Sequence, residues 1–426
     1  MNAQFITRTA GSGYMSANSP GQLERPGERE RPRVPFLHAV DNPVVTCLLS
    51  LSGYVCFVLL RWRIAADGNI TKFVRAELPF AHPGRVPAGL YVFGSNGYDG
   101  QFYYRLALDP ADLRRTAFGI TLDHPYRLER VGYPALAWLF SLGHHGLVPI
   151  ALVIVNVLAL ATIGLLGGML AVESGRHAIW GLLLAAFAGF LKSVGCDLAE
   201  PVAAACLLGG ILAYRRKHPA IAGLLFGYAV LTRETAIIMP LAILLVRVAR
   251  AVLPRDQRRI PVCAADLAWF LPLLVFTGWQ LVLRAATGTL IAASDLGDNA
   301  HGGLPFTQFV DAIRVNAGQL AVSSIDAYIW FAEVATLMMF VVAALVSLRS
   351  TTVPGCERVA FVAFIIELGI LSNQIWTGHA DLRSLDECYL LAVLILLRSP
   401  VKRLWPVATC AAVTVVIVAT HQVLLM

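Results

Sequence analysis

The sequence predicts an all-α polytopic membrane protein, on three observations. Of its 426 residues, 57% are hydrophobic and 14% charged, with a mean hydropathy of +0.66; soluble domains carry about a quarter charged residues. Apolar runs of the about 17–25 residues that cross a bilayer recur along almost the whole chain. Arginine and lysine collect between alternate runs, as the positive-inside rule requires of cytosolic loops.

The formal charge of +7 and pI near 9.1 do not point to nucleic acid, because the basic residues form no interleaved basic–aromatic patch. The eight cysteines show no CxxC or Cys/His ligand spacing, so no metal motif is legible. Cys196 and Cys388 both fall near the expected outer face and could pair, although two independent buried hydrophobes fit better.

Residues 1–43 are rich in Pro, Gly, Ser and Arg and lack an apolar period. They read as a disordered cytosolic tail, not a cleavable signal, with Arg25, Arg29, Arg31 and Arg33 holding that end inside. Residues 44–426 read as a single transmembrane domain. A first span over 44–62 leads into a long outer loop, 63–146, that carries interfacial helices. Further spans are expected over 147–171, 178–194, 198–214, 220–232, 235–250, 264–284, 326–348, 359–376, 385–398 and 405–425. The total is about eleven, in a range of 10–13, with the C-terminus outside and re-entrant pairs open around 195 and 233. The apolar piece Tyr133–Phe140 is too short to cross and is expected along the interface, with Tyr133 and Trp138 in the headgroup zone. A second outer segment, 285–325, carries Asp295, Asp298, His301 and Asp311 without a legible role.

Ionisable residues against a membrane are costly and mark sites by default. Here they gather on one side: Lys192, Asp197 and Glu200; Arg233 and Glu234; Arg284; Asp326 and Glu333; and His379, Asp381, Arg383, Asp386 and Glu387. Solvated helix ends or interhelical pairs are the bland account, and mid-span Glu367 reads as polar glue. The one-sidedness of the set implies instead a polar chamber opening outward, roofed by the first loop.

At the centre of that roof lies Gly97–Pro110, GYDGQFYYRLALDP. Asp99 is an acid in a water-accessible loop, and the aromatics around it make a surface suited to sugar rings or an acyl chain. The competing reading makes Asp99 the N-cap of a helix over Gly100–Leu108, closed by Pro110. A carboxylate opposite several arginines suits transfer from a lipid-linked phosphate donor. The hydroxyl nucleophile needs a general base, and the departing phosphate needs fixed positive charge. Asp99 is the candidate base, and Arg127, Arg130, Arg233 and Arg383 are candidates for the phosphate, which a guanidinium holds through two hydrogen bonds. Arg127 and Arg130 read equally well as headgroup anchors, His124 as a turn residue, and Asp123 as a second acid or a turn residue.

With these residues in place, the chain resembles the GT-C superfamily of membrane glycosyltransferases, which use polyprenyl-phosphate sugars. GYDGQFYYRLALDP looks like that family's first-loop segment, with Asp99 at the acid position, and ERVGYPALAWL (Glu129–Leu139) is similar to its basic interfacial helix. GCDLAEP (Gly195–Pro201) and GLLFGYAVLTRETAIIMP (Gly223–Pro240) look like its middle spans, with Glu200 and Arg233 at polar positions.

The resemblance implies a GT-C-like fold and an inverting transfer of sugar from a polyprenyl-phosphate donor to a hydroxyl of a glycan, lipid or protein. It implies an active site on the outer, periplasmic face of a bacterial inner membrane, with the N-terminus cytosolic. Asp99 would be catalytic; Arg127, Arg130, Arg233, Arg383, Tyr98, Gln101, Tyr103, Tyr133, Glu200 and His379 would bind substrate or lipid phosphate. One departure stands out: many relatives carry a paired Asp–X–Asp element, whereas Asp99 is followed by Gly100 and Gln101. A divalent metal is thus left open without a ligand motif, and a polyprenyl monophosphate can leave without one. The alternative is a transporter or lipid flippase, which usually shows an internal repeat and polar residues at the midplane; neither is legible here. A non-catalytic envelope scaffold is a third reading.

Overall fold

Asn42 opens the first long helix. Its side-chain oxygen accepts from the Val44 N–H at 2.9 Å, and Pro43 sits at the first helical position, where a missing N–H costs nothing. In the computed structural model the described residues are 41–252, 264–291, 304–371, 373–401 and 403–424. The expected tail therefore lies almost wholly outside them, as do Asp295, Asp298, His301 and the side chains of His379 and Asp381.

The helices run in order α1 Pro43–Ile64, α2 Gly100–Leu108, α3 Gly132–Phe140, α4 Val148–Glu173, α5 Leu182–Ala185, α6 Gly189–Gly195, α7 Glu200–Arg215 and α8 Pro219–Thr232. Then follow α9 Ile238–Val252, α10 Leu271–Thr287, α11 Thr307–Leu320, α12 Ile325–Ser347, α13 Gly355–Ile370, α14 Asn373–Thr377, α15 Asp386–Leu397 and α16 Trp405–Leu424. Among the described residues strands occur only as two-residue pairs in the first loop, so the molecule is all-α in class. Each of the eleven apolar stretches marked in the sequence is helical over most of its length.

Among the described residues six helices are long and apolar enough to cross a membrane: Pro43–Ile64, His145–Glu173, Glu234–Val252, Asp266–Thr287, Ile325–Ser347 and Trp405–Leu424. The bent pair Ala178–Ala185 and Gly189–Gly195 makes a seventh if counted as one span. This is a polytopic integral membrane protein. Helices α7, α8, α13 and α15, at 16, 14, 16 and 12 residues, fall short of the about 20 that span a bilayer. All twelve residues of α15 are buried, which explains why that helix is apolar on every face beyond its first two residues, Asp386 and Glu387.

Helices α1 and α4 pack side by side, held by hydroxyls: Thr46 donates to the Gly164 carbonyl and Ser50 to the Leu160 carbonyl, each at 2.8 Å. In lipid an apolar face gains little from meeting another, so interhelical hydrogen bonds and close packing carry the association.

The third stretch is not the single helix the sequence suggests. It bends by 59° between α5 and α6. A break frees backbone carbonyls that cannot stay unpartnered at membrane depth. Two tyrosines meet that need: Tyr389 donates to the Leu183 carbonyl at 2.8 Å and Tyr54 to the Ala185 carbonyl at 2.6 Å. The break also brings Gly189 against the segment that carries Arg383. A Cβ on Gly189 would sit 2.6 Å from the Arg383 Cα, so a side chain there would push that segment away.

The first loop contains α2 and α3, as expected, but α2 is not a surface for ligands. All nine of its residues are buried, including Phe102, Tyr103 and Tyr104. Helix α3 buries Gly132, Tyr133, Pro134 and Ala137 and exposes Trp138, Leu139 and Phe140, the pattern of a short helix lying along a boundary.

Candidate active site

Helices α7 and α15 both begin at the end of the bundle covered by the first loop, at Glu200 and Asp386, and α8 ends there, next to Arg233. Membrane-end residues from three separate parts of the chain therefore meet residues of the roof. Asp99 is at their centre.

Asp99 occupies the N-cap position of α2 but makes no side-chain cap hydrogen bond, so the cap does not account for it. Its Oδ1 accepts from Arg127 Nη2 at 2.8 Å and its Oδ2 from Arg383 Nη2 at 2.9 Å. Gly100 makes that position reachable: a Cβ there would meet the Cys196 carbonyl oxygen at 2.2 Å and that of Val74 at 2.7 Å. The start of α2 is thereby wedged between the first loop and the α6–α7 connection. Burial by itself would raise the Asp99 carboxyl; the charges of Arg127 and Arg383 and the Arg127 hydrogen bond outweigh it and hold the group below the ordinary aspartate value.

Each arginine has acidic partners. Arg127 also binds Asp123, through Nε at 3.0 Å and Nη2 at 2.8 Å, and stacks over Tyr126 and Phe102 at 4.6 and 4.8 Å. Arg130 holds Glu234 with two hydrogen bonds. Arg233 reaches Asp386 Oδ1 at 2.6 Å and lies 3.3 Å from Glu387, whose Oε1 also accepts from Thr235. Arg383 places Nε 3.1 Å from Glu200, which accepts from Ser193 as well, and its guanidinium lies over the Tyr98 ring at 4.9 Å. Burial would lower the Arg127 and Arg233 guanidinium groups, but the facing carboxylates keep both above their ordinary value and therefore charged.

A cavity of about 390 Å³ opens onto this network. Tyr98, Asp99, Tyr126, Arg127, Arg130, Arg233 and Arg383 line it together with Glu234, Thr235, Glu367 and Ser384, and Ile370, Leu371 and Ile375 add apolar side chains. The space suits a ligand with an anionic head and an apolar continuation. Among the described residues no three His, Cys, Asp or Glu side chains group as a metal site would.

The structure brings together Asp99, Tyr98 and all four candidate arginines, and it separates other residues from them. Tyr133 has no exposed surface; its hydroxyl donates to the Leu152 carbonyl at 3.0 Å and accepts from Asn156, so it packs the core instead of meeting substrate or headgroups. Gln101 is buried too, its side-chain oxygen accepting from the Glu77 N–H, which corrects its placement as a ligand. Tyr103 stands behind the site, 3.4 Å from Arg130 Nη1, and Glu200 serves as a buried counter-ion to Arg383. The side chain of His379 lies outside the described residues.

Among the wall residues, sequence reasoning left out Tyr126, Thr235 and Ser384, placed Glu234 in the outer charged set without a site role, and read Glu367 as polar glue. The RET triplet at 233–235 offered a signal for two of them, since an acid and a hydroxyl adjoin a candidate arginine at a helix end. Comparison with family models, with curated proteins and with solved structures finds no match to this chain.

Proposed function

We propose that the chain is an inverting glycosyltransferase with a polytopic, GT-C-like architecture. It moves a sugar from a polyprenyl-phosphate donor to a hydroxyl of a glycan, lipid or protein acceptor, at the outer face of a bacterial cytoplasmic membrane. One observation carries this reading: a carboxylate shared by two arginines, on the wall of a cavity lined by four arginines and by Ile370, Leu371 and Ile375. An isoprenoid phosphate offers an anion and an apolar chain to such a lining.

In the proposed step the acceptor oxygen attacks the anomeric carbon from the face opposite the phosphate. The new C–O bond forms as the bond from that carbon to the phosphate oxygen breaks, and the electron pair leaves with the polyprenyl monophosphate. Asp99 takes the hydroxyl proton. Arg127, Arg130, Arg233 and Arg383 stabilise the charge gained by the phosphate. The phosphate also competes with Asp99 for Arg127 and Arg383, so donor binding strips the carboxylate of its partners and makes it a stronger base. The experiment is transfer by the purified, membrane-reconstituted protein from labelled polyprenyl-phosphate sugars to a panel of acceptors. Absence of transfer with every donor, alongside donor-independent movement of labelled lipid across the bilayer, would replace this reading with a flippase.

A further inference from the structure

The end of the bundle remote from Asp99 holds a second cavity, of about 640 Å³, where α7 hands over to α8. Helix α7 covers sixteen residues from Glu200 to Arg215, about 24 Å, so the two cavities are separate. Arg215, Lys217, Arg247 and Arg398 line this one against the carboxylates of Glu173 and Asp266.

Two buried donors point to an occupant. Arg215 has a side chain only 4% exposed and gives Nε and Nη2 to Glu357 at 2.8 and 2.6 Å. Its third nitrogen, Nη1, is buried and has no hydrogen-bond partner among the described residues. Trp269, also 4% exposed and also lining the cavity, has an indole Nε1 in the same state. Guanidinium and indole are donors and never acceptors, and a buried donor calls for an acceptor. Glu357 balances Arg215 and Asp266 balances Arg247, which leaves Lys217 and Arg398 against Glu173, so the fitting acceptor is an anion with several oxygens, that is, a phosphate group.

The surroundings distinguish a lipid phosphate from a soluble one. Next to the lining residues in sequence, Ile221 and Leu224 on α8, Val248 and Val252 on α9, and Leu267 and Phe270 before α10 are exposed apolar side chains. Such a surface serves acyl chains and has no use to a free anion.

We propose that this cavity binds the phosphate headgroup of an anionic phospholipid in the leaflet at that end of the bundle, with its acyl chains along α8 and α9. The inference is independent of the transferase reading. It is tested by native mass spectrometry of the full chain in detergent, titrated with phosphatidylglycerol or phosphatidylcholine. The expected result is preferential retention of phosphatidylglycerol, weakened about fivefold by Lys217→Gln and again by Arg398→Gln, since each cation near a membrane surface contributes about that factor. Arg349→Gln is the control, an exposed cation at the same end that does not line the cavity; it should leave binding unchanged. Circular dichroism of each variant checks folding, and the comparison of the two lipids on the unmodified chain stands without any variant. Equal retention of both lipids overturns the proposal. So does a loss in Arg349→Gln as large as in Lys217→Gln, which would mean diffuse surface attraction. Binding of inorganic phosphate as tight as that of phosphatidylglycerol overturns it too, by making the occupant a soluble anion.

Discussion

The two ends of the helical bundle carry similar residues in different states of pairing. At the Asp99 end each of the four arginines faces at least one carboxylate, and several of those acids reach solvent: the Asp99, Asp123 and Glu234 side chains are 21, 29 and 31% exposed. At the Arg215 end the partner acid Glu357 has no exposed surface. Partly solvated pairs can be exchanged for an incoming anion at modest cost, whereas a fully buried pair cannot be parted cheaply. The Asp99, Asp123 and Glu234 pairs suit the first end to bind and release a charged ligand, while Arg233–Asp386 there is as buried as Arg215–Glu357 at the second and holds its place.

Replacing Asp99 tests the first half of that contrast and has the largest expected effect. Asp99→Asn keeps the volume and removes the base, so the transfer rate should drop by about 10²–10⁴-fold, with donor binding retained because two arginines lose a competitor. Single-turnover transfer and a donor-binding assay on the same preparation separate the two. A variant that folds and transfers at the native rate would remove Asp99 from the mechanism.

At the other end the corresponding change acts on stability. Glu357→Gln leaves Arg215 buried without its counter-ion, a loss of about 3–5 kcal/mol for a broken buried pair. Thermal unfolding in detergent should show a large drop in midpoint, while surviving protein transfers sugar at the native rate. Equal sensitivity of transfer to both acids would erase the distinction between the ends.

Arg383 sharpens the first case through pH. Removing one donor from a charge-stabilising site typically lowers the rate by about 10²-fold, and Arg383→Gln should do so here. It should also move the acidic limb of the kcat/KM profile. Asp99 is held below the ordinary aspartate value of about 3.9, so in the unmodified protein its carboxylate, the proposed base, stays ionised below that pH. Without Arg383 burial weighs more, the carboxyl rises, and activity fails at a higher pH than in the native enzyme. An unchanged limb would detach Arg383 from Asp99 in the working enzyme.

Much of this arrangement was legible in the sequence, for reasons particular residues make plain. Hydropathy located the apolar stretches because lipid imposes length and composition on any helix that crosses it. The boundaries Gly100–Leu108 followed from the glycine and Pro110 on either side. The bend between α5 and α6 was not legible, since it depends on Tyr54 and Tyr389 reaching carbonyls from elsewhere in the chain. The four arginines could be assigned to one end, because side of membrane follows from counting spans. Their partners could not: Asp386 meeting Arg233 and Glu200 meeting Arg383 depend on which helices are neighbours, and apolar helices of this kind reveal little of that in one sequence.

The same limit explains Tyr133, which sequence reasoning assigned to substrate and headgroups. A tyrosine in a basic, proline-containing segment near an expected interface fits that role by composition, but the ring's direction is set by α4. There the Leu152 carbonyl accepts from its hydroxyl, and Asn156 donates to its oxygen and to the Leu198 carbonyl. Tyr133→Phe should therefore cost stability of about 1 kcal/mol, the usual worth of one buried hydrogen bond, and leave the donor KM as it is. The smallest of the expected effects, it still discriminates: a several-fold rise in donor KM with unchanged unfolding would return Tyr133 to the site. A lowered midpoint with native kinetics would fix it as a support, holding α3 against α4 beneath the arginines.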